Sequence, residues 1–269
     1  MHTSPDSIAR TIEISKEFDI LGYPNGGYLA SLATVILAEH VGHKDPLALN
    51  ASFLGHPTSG AADIVAAKLD EKKSLSRATL TLSQLGDKKA FYTAAFTDFE
   101  RSTGLTHRFA PQPAAITPYA DCVPVAELAL DESLASFLRR FDMRLARGFL
   151  VKPGPSQPAE VEGWIGLPGR ACATLADLIL FADAFPPPVF NAVHPSQWGS
   201  VPTVEYSVHL KAVPRPGPVH GRFWCTEVVR GYLEIDGELR DAAGDLVAVS
   251  RQVAKFRGGL GPGGTDHAG

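Results

Sequence analysis

A chain of 269 residues with 45% hydrophobic and 20% charged residues can bury a core that needs no metal or disulfide to hold it. Its net charge of -4, with no basic stripe, argues against a nucleic-acid partner. Cys122, Cys172 and Cys225 are far apart and odd in number, which suits a reducing compartment and offers no zinc spacing. Residues 1–19 lack the apolar run of a secretory leader, and no stretch is long and apolar enough to span a bilayer. A cytoplasmic protein without cofactor, metal, nucleic-acid or membrane partner is the expectation.

In chain order, residues 15–25 form a mixed lead-in. Asn25-Gly26-Gly27 then opens a helix over 28–39 that is apolar nearly all round. Asn25 suits an N-cap, and the glycines let a second backbone or a ligand approach closely; plain loop chemistry before a core helix explains them too. No Lys-Ser/Thr pair follows, so this is not a phosphate loop. Strands are predicted over 47–54, 61–69, 77–85 and 89–99, the last two joined by a turn at Gly86-Asp87-Lys88. The pattern weakens from 100 to 169. There 110–124 reads as a Pro- and Ala-rich connector, 131–138 as a short helix capped by Asp131, 141–149 as a strand and 153–158 as a loop.

A second apolar helix is predicted over 171–185, stopped by Pro186, Pro187 and Pro188. Asp183 sits near its end among Ala182, Ala184 and Phe185. It reads either as a solvated helix-end residue or as a carboxylate open to a cavity. Strands follow over 202–210 and 225–235, the latter continuing to 241 across a bulge near Asp236-Gly237. A turn at Ala243-Gly244-Asp245 leads into a returning strand over 246–256. Residues 258–269 are Gly-rich and are expected to be disordered.

Helix, strand and long hairpin therefore occur twice. A sheet curled round an apolar helix explains why both helices lack a polar face, and two such units side by side would merge into one sheet. This places residues 1–109 and 161–257 in two wrapped units, joined by 110–160.

Several phrases then carry a family resemblance. They are Asn25-Gly26-Gly27-Tyr28-Leu29-Ala30, Phe53-Leu54, Ala182-Asp183-Ala184-Phe185-Pro186-Pro187, Pro202-Thr203-Val204-Glu205, Val208-His209-Leu210, Gly231-Tyr232-Leu233 and Leu246 to Gln252. In this order and spacing the chain resembles the acyl-CoA thioesterase II family, with its α+β double hotdog fold. The resemblance implies hydrolysis of a fatty acyl-CoA to acid and free CoA, without a cofactor, in a homo-oligomer (dimer or tetramer). It also implies a catalytic set that falls on Asp183, Thr203 and Gln252. Chemically the set is coherent. A thioester is already activated, so a carboxylate can act as general base on water while a hydroxyl and an amide orient it. Asn25, Gly26 and Gly27 are candidates for substrate binding or for an oxyanion hole at the helix start.

One residue conflicts with this assignment. Strict alternation puts Thr203 on a face with Glu205, Ser207 and His209, away from the helix, unless the strand start breaks the alternation or the face meets the seam between units. Two rival readings remain. A hotdog hydratase or dehydratase would need a histidine base, for which His56 and His209 are the candidates; a non-catalytic acyl-binding module would bind without releasing thiol. A Ser-His-Asp hydrolase is not expected, for want of a Gly-x-Ser-x-Gly elbow. Lys72, Lys73, Arg77, Lys88 and Lys89 are candidate contacts for the CoA phosphates, though solvated hairpin ends explain them as well.

Overall fold

Apolar–polar alternation sets eleven strands into one antiparallel sheet. The first half holds β1 (Ser7–Ile14), β2 (Asp45–Phe53), β3 (Gly60–Lys72), β4 (Leu75–Gln84) and β5 (Asp87–Thr97). The second holds β6 (Asp142–Arg147), β7 (Glu160–Gly166), β8 (Thr203–Leu210), β9 (Val219–Trp224), β10 (Tyr232–Arg240) and β11 (Leu246–Lys255). The structure, a computed structural model, describes residues 7–109, 115–128, 130, 132–152 and 158–258.

Across the sheet the order is β1-β3-β4-β5-β2-β8-β11-β10-β9-β7-β6, with the short pieces Val123–Pro124 beyond β6 and Val228–Val229 against β10. Backbone pairing runs unbroken from one half to the other through β2 and β8, from Glu205 opposite Ser52 to His209 opposite Ala48. Each half repeats one topology. A first strand precedes a helix, four strands follow it, and the first strand pairs with the second of the four: β1 on β3, β7 on β9. This tandem arrangement is an α+β double hotdog.

The two central helices are α1 (Gly26–Ala38) and α3 (Leu175–Phe181), with the shorter α2 (Glu132–Leu138) between them in sequence. α1 and α3 touch directly, where the Ser31 hydroxyl donates to the Ala176 carbonyl at 2.8 Å. Each meets the sheet on one side and its partner helix on another. That is why Leu29, Leu37, Ile179 and Phe181 are all buried although they point in different directions.

Several expectations change. The second helix is shorter than 171–185. It starts at Leu175 because Thr174 and Asp177 form a reciprocal capping box, and Arg170 holds Asp177 from outside. It ends at Phe181, and the Asp183 and Ala184 amides fold back in a tighter turn onto the Leu180 and Phe181 carbonyls. Asp183 therefore lies just beyond the helix. The predicted strand over 225–235 is two elements: Arg230 and Gly231 take positive φ and turn Val228–Val229 back onto β10. Asp236-Gly237 is not a bulge. Gly237 pairs regularly with Phe223, whose ring lies where a Cβ would stand. The hairpin after β4 turns one residue earlier than predicted, on Leu85 and Gly86, both at positive φ. β1, β7 and β9 were not anticipated. The stretch 110–160 does more than connect, since it supplies Val123–Pro124 and β6 to the sheet. Gly258 belongs to a short strand, Arg257–Gly258, paired with Gly199–Ser200. The Asp131 cap, residues 153–157 of the predicted loop and the tail from 259 lie outside the described residues.

Candidate active site

The start of α1 meets the turn after α3. Asn25 caps α1, its Oδ1 accepting the Tyr28 amide at 2.9 Å. The other end of that side chain reaches across, Nδ2 donating to Asp183 Oδ2 at 3.0 Å and to the Asp183 carbonyl at 3.1 Å. The Gly27 amide donates to the same Oδ2 at 2.6 Å. A carboxylate at a helix N-terminus is favoured by the free amides and the dipole there. The glycines make the approach possible. A Cβ on Gly27 would stand 2.6 Å from Asp183 Cβ and 3.0 Å from the Leu180 carbonyl, and one on Gly26 would stand 3.1 Å from Asp183 Oδ2.

Gln252 arrives from β11. Its Nε2 donates to Asp183 Oδ1 at 2.7 Å, and its Oε1 accepts the Thr203 hydroxyl at 3.2 Å. An ionised carboxylate can only accept, which sets the amide with nitrogen toward Asp183 and oxygen toward Thr203. The Thr203 conflict is resolved by a bulge. Thr203 pairs with Ala254 and Glu205 with the next residue, Val253, so Val204 is skipped and the alternation is reset. Thr203 thereby shares its face with Gln252 and Ala254. Glu205, Ser207 and His209 stay on the outer face, where Ser52 donates to Glu205 and Ser207 to Asn50.

Asp183 feels two opposed influences. Burial pushes its pKa up to about 6, against the donors on Gly27, Gln252 and Asn25, which favour the charged form. A carboxyl that changes charge near neutrality, already oriented by neighbours, is suited to take a proton from water.

These groups meet at a cavity of about 780 Å³. Asn25, Gly26, Asp183, Thr203 and Gln252 all reach it. Most of the remaining wall is apolar, and two parts of it lay outside the sequence-based expectation. Leu134, Phe137 and Leu138 come from α2. Phe149, Phe190 and Trp198 form an aromatic cluster, with ring centroids 4.8 Å apart for Phe149 and Trp198 and 5.3 Å for Phe149 and Phe190. The only advance signal was the recurrence of Phe and Trp in segments otherwise rich in Pro. His56 lines the cavity and the exposed His209 does not. Lys72, Lys73, Arg77, Lys88 and Lys89 all lie off the wall; Arg77 and Lys72 pair with Asp70, and Lys89 with Asp87.

Comparison with known proteins agrees with this fold. Residues 14–97 match the family model for the acyl-CoA thioesterase N-terminal domain, and residues 119–256 the model for the acyl-CoA thioesterase C-terminal domain. A candidate thioesterase II from Thermobifida fusca YX is 29% identical, with TM-score 0.81 over 94% of this chain and 92% of that one. A hot dog fold protein from Alicyclobacillus acidocaldarius has TM-score 0.79 at 23% identity, over 96% of each chain. An acyl-CoA thioesterase II from Mycobacterium marinum has TM-score 0.70 at 16% identity, over 93% of each. No curated protein matches the chain. Among the described residues no helix is long and apolar enough to cross a membrane. With two family models covering most of its length in order, this chain belongs to the acyl-CoA thioesterase family and is a thioester hydrolase.

Proposed function

We propose that the chain hydrolyses fatty acyl-CoA to free acid and CoA by direct attack of water, with Asp183 as general base. The observation that carries the reading is the Asp183 carboxylate itself: pushed up to about 6 by burial, held by Asn25, Gly27 and Gln252, and open to an apolar cavity. Water bound at Asp183 loses a proton to the carboxylate as its oxygen attacks the thioester carbon. The thiolate leaves and takes up a proton. Thr203 and Gln252 position the water, a contribution that comes from orientation rather than proton transfer. The Gly27 amide is committed to Asp183, so Gly26 is the donor assigned to the developing oxyanion.

The size and apolar wall of the cavity support a fatty acyl chain rather than a short polar acyl group. A panel of acyl-CoAs of rising chain length, followed by thiol release, tests this. kcat/KM should climb with length to a medium or long chain and be lowest for acetyl-CoA. A maximum at acetyl-CoA would contradict it. The hydratase reading loses His209, which is on the outer face, and retains His56 alone. Enoyl-CoA that gains water and keeps its thioester would favour that reading. The proposal extends to a homo-oligomer in the cytoplasm. The three free cysteines fit a reducing compartment, and light scattering of the purified chain tests the assembly.

A further inference from the structure

Among the described residues, Arg257 is the one Lys or Arg lining the cavity. It is exposed, and among the described residues no carboxylate pairs with it, whereas Arg251, six residues earlier, is bound at 2.6 Å by Asp236. Its backbone is fixed. Ser200 pairs with Arg257 and Gly199 with Gly258, and a Cβ on Gly199 would collide with the Arg257 carbonyl. The segment that positions Arg257 is thus the one that leads into Thr203.

We infer that Arg257 binds the phosphates of CoA at the mouth of the cavity, an inference that rests on the thioesterase reading above. The chain running from β11 through Phe256 into the short strand Arg257–Gly258 serves as a ruler. Gln252 touches Asp183 at the reacting centre, and Arg257 stands five positions further along nearly extended chain, which spans about 16 Å. The extended pantetheine arm, from thioester sulfur to first phosphate, covers a similar length. With the thioester at Asp183, the diphosphate therefore reaches the level of Arg257. A guanidinium is suited to that group, because its planar fork donates two parallel hydrogen bonds to phosphate oxygens. The same cation could instead meet a carboxylate on the far end of an acyl chain, so the test separates the two anions.

The measurement compares the full-length chain with Arg257→Ala on three thioesters of one chain length: the acyl-CoA, the same acyl group on N-acetylcysteamine, which has no phosphates, and an N-acetylcysteamine thioester ending in a carboxylate. Arg257→Ala should raise KM for acyl-CoA about tenfold with kcat within about twofold, and leave kcat/KM for both phosphate-free thioesters unchanged. Arg257→Lys should recover part of the KM, and Arg77→Ala, a hairpin residue away from the cavity, should change nothing. An unchanged KM for acyl-CoA would overturn the inference, as would an equal loss on acyl-CoA and the plain acyl-N-acetylcysteamine. A loss confined to the carboxylate-bearing thioester would also overturn it and assign Arg257 to the acyl end. Absence of thiol release from every thioester by the parent chain would count against the thioesterase reading instead.

Discussion

Asp183→Asn should lower kcat on an acyl-CoA by at least ~100-fold, and by as much as ~10,000-fold, while the chain stays folded. Asn keeps the shape of the side chain and can still accept the Gly27 amide, but it cannot take a proton from water. The effect on stability should run the other way. Folded Asp183 has a pKa of about 6 against an ordinary 3.8. The folded state therefore holds its proton over a range where the unfolded chain has already lost it. The Asp183 contribution to stability is greatest below pH 4 and declines as pH rises to about 6. The difference amounts to about 3 kcal/mol at neutral pH. The Asn variant lacks this decline, so its thermal midpoint relative to the parent should improve as pH rises from 4 to 7.5. In the parent, kcat/KM should rise with pH through about 6 and then level off. Thiol release and thermal unfolding over that pH range check both halves. Full activity in the variant would remove Asp183 from catalysis, and a relative midpoint that worsened with pH would show that the carboxylate is not penalised by burial.

Gly27→Ala should cost about 1–3 kcal/mol of stability and at least ~10-fold in kcat/KM. Its added methyl would fall 2.6 Å from Asp183 Cβ and 3.0 Å from the Leu180 carbonyl. Neither atom is the free end of a flexible side chain, so relief requires α1 and the end of α3 to separate. That separation breaks the 2.6 Å bond from the Gly27 amide to Asp183 and moves the carboxylate away from Gln252. Gly26→Ala should be milder. Its nearest contacts, at 3.1 Å, are Asp183 Oδ2 and the edge of the Phe53 ring; neither is backbone, and a shift of a few tenths of an ångström relieves both. Denaturant unfolding and kcat/KM of the two variants side by side check the ranking. If Gly26→Ala proved the more damaging, the close approach of the two helices would not be what Gly27 protects.

The legible parts of the fold were those with strong local signals. Asn25 before two glycines and a long apolar run marked the start of α1, and β2 to β5 followed their alternation. β7 was hidden because it is buried on both faces, so that Glu160, Glu162 and Trp164 interrupt the apolar run without an exposed side to explain them. β9, Val-His-Gly-Arg-Phe-Trp, was obscured by a glycine that admits the Phe185 ring. The members of the site were legible through family resemblance. Their meeting was not, because it depends on a bulge at Val204 that places Thr203 on the inner face and on a helix that stops before Asp183. Both are backbone events that side-chain periodicity does not encode.

The central claim, that Asp183 activates water and does not itself attack, is tested most directly by a single turnover in water enriched in heavy oxygen, with enzyme in excess over acyl-CoA. The account predicts that every molecule of released acid carries one solvent oxygen and that the peptide containing Asp183 carries none. Unlabelled acid from the first turnover, with heavy oxygen recovered in the Asp183 carboxyl, would show a covalent acyl-aspartyl intermediate and contradict it.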